Sequence, residues 1–218
     1  MTIRSPSSTA GIGVSFPIRS RTQPANGAVY PAGSFGDSMK LSAQLLKLDM
    51  GLRAATIDLG GWDTHVSQIP NPTAQNQGYY NLINNLSRSI RAFADCMKAI
   101  GMWDNVMMFT ASDFNRTFTP NKTDSTGGSD HGWGGHAFVV GGAVKGKKLY
   151  GTFPDLTVEG GIDCQGSRGR WIPSTSVDQY AAKIAQWIGV PAGQIDAIFP
   201  NLSRFGSGTN LDFIDYTI

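Results

Sequence analysis

The chain has 218 residues, 40% hydrophobic and 10% aromatic, enough for one buried core and marginal for two. Lys and Arg number 18 against 16 Asp and Glu, a net charge of +2, and only 16% of residues are charged, which excludes the dense basic footprint of a dedicated nucleic-acid binder. Two cysteines outside any zinc-type spacing exclude a disulfide scaffold and leave a single bridge open. Apolar runs such as 106–111 and 137–143 are far shorter than the roughly 18 to 20 residues of a membrane span, so no membrane span and a soluble protein are expected. The basic N-terminus lacks the continuous apolar stretch of a secretory signal: the chain either stays inside the cell or stands without its leader.

Residues 1–35, rich in Ser, Pro, Gly and Thr, read as an extended arm, and residues 36–218 as a single α/β domain. Met39, Ala43, Leu45, Leu46 and Met50 recur at helical spacing and predict a first helix from Asp37 to about Met50, stopped by Gly51. Arg53–Leu59 reads as a buried strand running into Gly60-Gly61 and the loop GGWDTH. Tyr79–Ile100 is the strongest helix: Tyr79, Leu82, Ile83, Leu86, Ile90, Phe93, Ala94, Met97 and Ile100 follow the spacing of one buried face. The nearly continuous apolar run Asn105–Ala111 predicts a buried strand that opens into the polar stretch 112–116. This alternation predicts an α/β fold, a mainly parallel sheet flanked by helices, with ligands at the carboxyl ends of its strands. Thr117–Gly135 is a longer loop than a connection needs. His136–Val140 reads as a third strand, continuing at Gly146–Tyr150 as a hairpin, and Ser176 caps a last helix ending at Ile188. The tail beyond Pro200 shows no readable pattern, and the chain has no internal repeat.

All three histidines lie in Gly-rich stretches at expected strand ends: His65 in GGWDTH, and His131 and His136 in GSDHGWGGH. Imidazole and carboxylate together suit zinc, manganese or iron, which makes Asp63, His65, Asp130, His131 and His136 candidate ligands, joined by Asp113 at the end of the neighbouring strand. The competing reading is that these aspartates form turns and the histidines are solvated. Thr64, Ser112 and Ser129 adjoin the proposed ligands and are conceivable nucleophiles, although such hydroxyls more often bond the local backbone. Arg116 is placed to hold an oxyanion in bidentate fashion or, equally, to pair with a structural carboxylate. Trp62 and Trp133 flank the His motifs, to stack on a sugar ring or to pack. Arg168 and Arg170 either reach the site or fix their loop.

The runs GGWDTH, SDFNRTFTPN, GGSDHGWGGHAFVVGGAVKGKKLYGTFPDL, RGRWIPSTSVDQYAAKIAQWIGV and IFPNL resemble the C-terminal half of the bacterial domain of unknown function 1501, over roughly Tyr30 to Leu202. That family is similar to the alkaline phosphatase and sulfatase superfamily. The resemblance implies an α/β sheet carrying one or two metal ions held by Asp and His, and a Ser, Thr or modified Cys that attacks a phosphate or sulfate ester. Carried onto this sequence, it implies Asp63 and His65 as one ligand pair, Asp130, His131 and His136 as competing ligands from the later loop, and Asp113 at the strand end. Family members carry an acid and a Gly at the positions of Asp113 and Asn115; here the acid is kept and Asn replaces the Gly. The family's N-terminal half, with its first strands, first metal-binding Asp and nucleophile region, is not recognisable before Tyr30. An alkaline phosphatase-like core lacking that half is therefore expected.

The expected function is that of a metal-dependent hydrolase of phosphate or sulfate esters, with a divalent metal ion such as zinc or manganese as cofactor and Arg116 and Thr64 as catalytic candidates. One alternative is a non-catalytic binding or structural protein that lost the nucleophile half. A weaker one is a redox metal protein, since two His and one carboxylate also hold non-haem iron. Expected partners are a small anionic ester or sugar ester, no nucleic acid, and a second copy or partner subunit covering an open sheet edge, with the arm Ser5–Pro31 reaching across in trans. The resemblance implies a periplasmic or secreted location.

Overall fold

The computed structural model describes residues 2–3, 27–71, 78–112, 114–206 and 211–217. Its helices are α1 (Ser34–Lys47), α2 (Gly78–Ala99), α3 (Val177–Trp187) and α4 (Ala192–Ile198). Its strands are β1 (Thr2–Ile3), β2 (Val106–Phe109), β3 (Asn115–Arg116), β4 (His131–Gly132), β5 (Val139–Gly141), β6 (Cys164–Gln165) and β7 (Arg170–Trp171). The arm is described at Thr2–Ile3 and from Gly27 onward; the rest of it, and Asp113, lie outside the described residues.

β2 is apolar at every position because both of its faces are covered. Side chains alternate along a strand, so Val106 and Met108 enter one cluster with Phe35, Met39, Ala43 and Leu46 of α1 and Phe93, Cys96 and Met97 of α2. Met107 enters the opposite cluster with Ile184 and Trp187 of α3 and with Leu211, Phe213 and Ile214 of the tail. Helices thus lie on both sides of a short sheet ordered β1-β2-β5, whose register sets Met107 against Gly141 and Phe109 against Val139. The strand pairs among the described residues are antiparallel, and a parallel neighbour for β2 is not among them. Residues 53–59, expected as a strand, carry one bridge position at Ala54; Ile57 and Leu59 lean on the α1–α2 cluster while Thr56 and Asp58 face water.

Local chemistry sets the helix ends. α1 stops before Met50 because Asp49 and Gly51 take left-handed backbone, φ 49° and 70°. α3 opens with a capping box: the Gln179 backbone N–H donates to Ser176 Oγ at 3.1 Å, and the Ser176 N–H donates to Gln179 Oε1 at 3.0 Å. α2 is buried along its C-terminal half only, where Ser89, Ala92, Phe93, Ala94, Cys96 and Met97 face the core. Ile83, on the expected apolar face, is 44% exposed, because α1 covers only the second half of this longer helix. β5 begins at Val139, after the exposed segment 136–138. The hairpin expected at Gly146–Tyr150 is replaced by the tail: Val144 bridges Ile214, and Lys145 N donates to Phe213 O at 2.9 Å. Among the described residues, no helix is long and apolar enough to cross a membrane.

Phe93 is fully buried between α1 and β2, so Phe93→Ala should lower the unfolding free energy in urea by about 3–5 kcal/mol. Ile83→Ala, on the exposed half of the same helix, should stay within about 0.5 kcal/mol of the parent.

Candidate functional site

β2 delivers the chain into β3, and β3 pairs with β4 so that Arg116 stands directly opposite His131. Opposed residues of an antiparallel pair project from the same face, and the GGWDTH loop lies over that face. The loop is held from behind by α2: the Trp62 ring meets Tyr79 edge-on at 5.4 Å, and Gly61 faces Leu82. It is held from the front by residues 126–129, where Ser129 N donates to Thr64 O, Ser67 N to Thr126 O and Gln68 N to Gly127 O, at 3.0–3.1 Å. A side chain at Gly128 would collide with the backbone of Thr64 and His65, and one at Gly134 would lie 2.8 Å from Pro173 N and 2.9 Å from Trp171 O. Close backbone approach therefore accounts for both glycines.

These segments converge on a single oxygen. Asp63 Oδ1 lies 2.9 Å from Arg116 Nη1, 3.0 Å from His65 Nε2 and 3.3 Å from His131 Nε2, and the two Nε2 atoms are 3.1 Å apart. The site is open to solvent, with the Asp63, His131 and His65 side chains 71%, 55% and 41% exposed. The Arg116 and His131 hydrogen bonds hold the Asp63 carboxyl below the usual carboxylate range.

Behind this group, His65 Nδ1 contacts Asp130 Oδ1 at 2.7 Å. Arg168 Nη1 donates to Asp130 Oδ2, and Asn121 Nδ2 donates to Oδ1 at 3.3 Å. His65, and after it Arg168, hold the Asp130 carboxyl far below its ordinary value. An ionised carboxylate only accepts, so the proton in this contact sits on His65 Nδ1. In a neutral imidazole that leaves the Nε2 lone pair facing an anionic oxygen 3.0 Å away, a juxtaposition that calls for a cation, proton or metal, between them. The donor set fits a metal: ligands about 2.1 Å from a tetrahedral zinc are separated by about 3.4 Å, close to the spacings here. Asp63, His65 and His131 form such a group, with ligand atoms all within 4.8 Å of one another.

The other sequence candidates fall around this centre. Asp130 backs His65, while His136 is exposed and outside the group. The Thr64 hydroxyl donates to Trp62 O at 3.4 Å, Ser112 Oγ to Phe114 O at 2.7 Å and Ser129 Oγ to Gln68 Oε1 at 2.7 Å. Among the described residues, Arg116 donates from three of its five N–H groups, to Asp63, the Ser129 hydroxyl and the Ser129 carbonyl. Trp62 packs on Tyr79, and Trp133 is 55% exposed. Three contributors lay outside the sequence reading. Asn121 donates to His65 O at 2.7 Å and accepts from Gly128 N at 2.9 Å, tying the two ligand loops together. Gln68 secures Ser129, and Phe114 stacks on the His131 ring at 4.2 Å. The one signal that pointed toward Asn121 was the excess length of its loop.

A family model described as Protein of unknown function (DUF1501) matches residues 20–160, a span that includes Asp63, His65, Arg116, Asp130 and His131. No curated protein and no solved structure matches the chain.

Gly128→Ala should push the two loops apart and cost about 1–3 kcal/mol in thermal or urea unfolding. Gly193→Ala in α4, where an added methyl meets open space, should instead stabilise by about 0.4–1 kcal/mol.

Proposed function

The chain belongs to the family described as Protein of unknown function (DUF1501), and from that footing we propose that it is a metal-dependent hydrolase of phosphate or sulfate esters, similar to the alkaline phosphatase and sulfatase superfamily. The observation that carries this reading is the convergence of His65 Nε2 and His131 Nε2 on Asp63 Oδ1, with the far side of His65 committed to Asp130. A divalent cation such as zinc or manganese, held by Asp63, His65 and His131, supplies Lewis acidity toward an ester oxygen and lowers the pKa of a water it binds. In this reading Asp130 orients His65, and the two Arg116 N–H donors without a partner among the described residues steady a phosphoryl or sulfuryl oxygen. Ser112 and Ser129 donate their hydroxyl protons to neighbouring groups at 2.7 Å, and in this reading the attacking oxygen is that of a water. Phe114, partly exposed against His131, and the exposed Trp133 suit a flat or sugar-like leaving group.

The engaged hydroxyl of Thr64 favours a second reading, a non-catalytic relative that binds the cation and an anionic ligand without turning the ligand over. The proposal extends to assembly. In this reading the described antiparallel strands belong to an α/β core of the alkaline phosphatase type whose parallel strands would be supplied by a second copy or a partner. Leu149, Phe153, Ile162 and Val177, each more than 60% exposed, support such an apolar contact.

The purified protein should bind Zn2+ or Mn2+ and hydrolyse an aryl phosphate or an aryl sulfate. His131→Ala should lose both properties while its melting temperature stays close to the parent's, because the residue is exposed and contributes little to the core. Full activity in that variant would overturn the site. Metal binding without hydrolysis of either ester class would establish the second reading. Light scattering should give a mass above that of the monomer, and a monomer mass over a wide concentration range would end the assembly proposal.

A further inference from the structure

Arg168 sits in the turn between β6 and β7, beyond the residues that the family model matches. The turn is stitched to the segment after β3: Phe118 N donates to Gly169 O and Thr119 N to Arg168 O, both at 3.1 Å. From there the guanidinium reaches Asp130 Oδ2 with Nη1, and Thr117 Oγ1 with Nη2 at 3.2 Å. The same Thr117 hydroxyl accepts from the Asp130 backbone N–H at 3.1 Å. Arg168 and Thr117 therefore hold both the backbone and one carboxylate oxygen of Asp130, and the remaining oxygen is presented to His65 Nδ1. Arg168 Nε is buried with no hydrogen-bond partner among the described residues. The same hairpin supports the other histidine, since Arg170 Nε donates to His131 O at 3.1 Å.

We propose that Arg168 is a positioning residue: by anchoring Asp130 it fixes the ring orientation and Nδ1–H tautomer of His65, and so presents Nε2 to the cation. The proposal rests on the reading of Asp63, His65 and His131 as a cation site. Carboxylate partners of this kind orient histidine ligands, and their loss weakens metal affinity by about 10–100-fold. Lys at this position keeps a charge beside Asp130 but not the planar fork that also reaches Thr117.

The test compares the full-length protein with Arg168→Ala and Arg168→Lys by calorimetric titration with Zn2+ and with Mn2+, alongside long-range 1H–15N spectra of His65 without metal. The parent should bind and show the Nδ1–H tautomer. R168A should bind about 10–100-fold more weakly and show mixed tautomers, and R168K should fall between the two. R168K carries the same reading should R168A not fold. Parent affinity and parent tautomer in the variants, with or without a lowered melting temperature, would make Arg168 a scaffold residue and overturn the proposal alone. A parent that binds neither cation would overturn the cation site itself, and this inference with it.

Discussion

One oxygen atom, Oδ1 of Asp63, gathers groups from three segments of the chain, and the local architecture answers to that demand. Arg116 and His131 reach it because β3 and β4 pair them, and His65 reaches it because residues 64–68 zip against residues 126–129. The charges run in order: Arg116, Asp63, His65, Asp130, Arg168. His65 and then Arg168 hold the Asp130 carboxyl low, and Arg116 and then His131 do the same for Asp63. Because Asp63 and His131 are largely exposed, water screens their pairs and little folding energy resides in them, whereas the Arg168–Asp130 pair, with both side chains less than a third exposed, is screened less. The value of the group lies in where it holds the donor atoms.

The fold explains how such an exposed group is kept in register. β2 is deeply buried, clamped by α1 and α2 on one face and by α3 and the tail on the other. It leads directly into the segment that carries Arg116. β5, paired to β2, follows closely on the loop of His131. The segments of Arg116 and His131 are thus short extensions of paired strands, and the glycines of the ligand loops let backbones approach where a Cβ would collide.

The long-period features of this architecture were legible in the sequence. The second half of α2, the buried β2 and the capped α3 each carry a pattern that burial or capping chemistry enforces. Asp63, His65 and His131 were also readable as candidates, because imidazole and carboxylate side chains recur in Gly-rich stretches at expected strand ends, and the structure brings these three together. Less legible were features that depend on distant partners. Ile83 fits the apolar face of its helix but is 44% exposed among the described residues, since helical periodicity does not report where a neighbouring helix ends. Leu211, Phe213 and Ile214 are core residues in a tail too short to show any period. Asn121, Gln68 and Thr117 are ordinary loop residues by composition, and only the folded backbone reveals what they tie together. Asp130 and Arg168 were visible as charges, but their pairing across 38 residues was not.

The uneven burial of α2 has a dynamic consequence. Its C-terminal half is welded into the core, whereas its N-terminal half, which backs the GGWDTH loop through Tyr79 and Leu82, is largely solvated. Local stability follows the density of buried apolar contacts. The first turns of the helix should therefore exchange their amide hydrogens faster than the turns packed on β2. Asp63 and His65 are backed by those turns and held in front by residues 126–129, so the centre lies between two units of unequal burial. A ligand that bridges Asp63 to His131 would couple the two units and slow the exchange of amide hydrogens in residues well away from its own contacts.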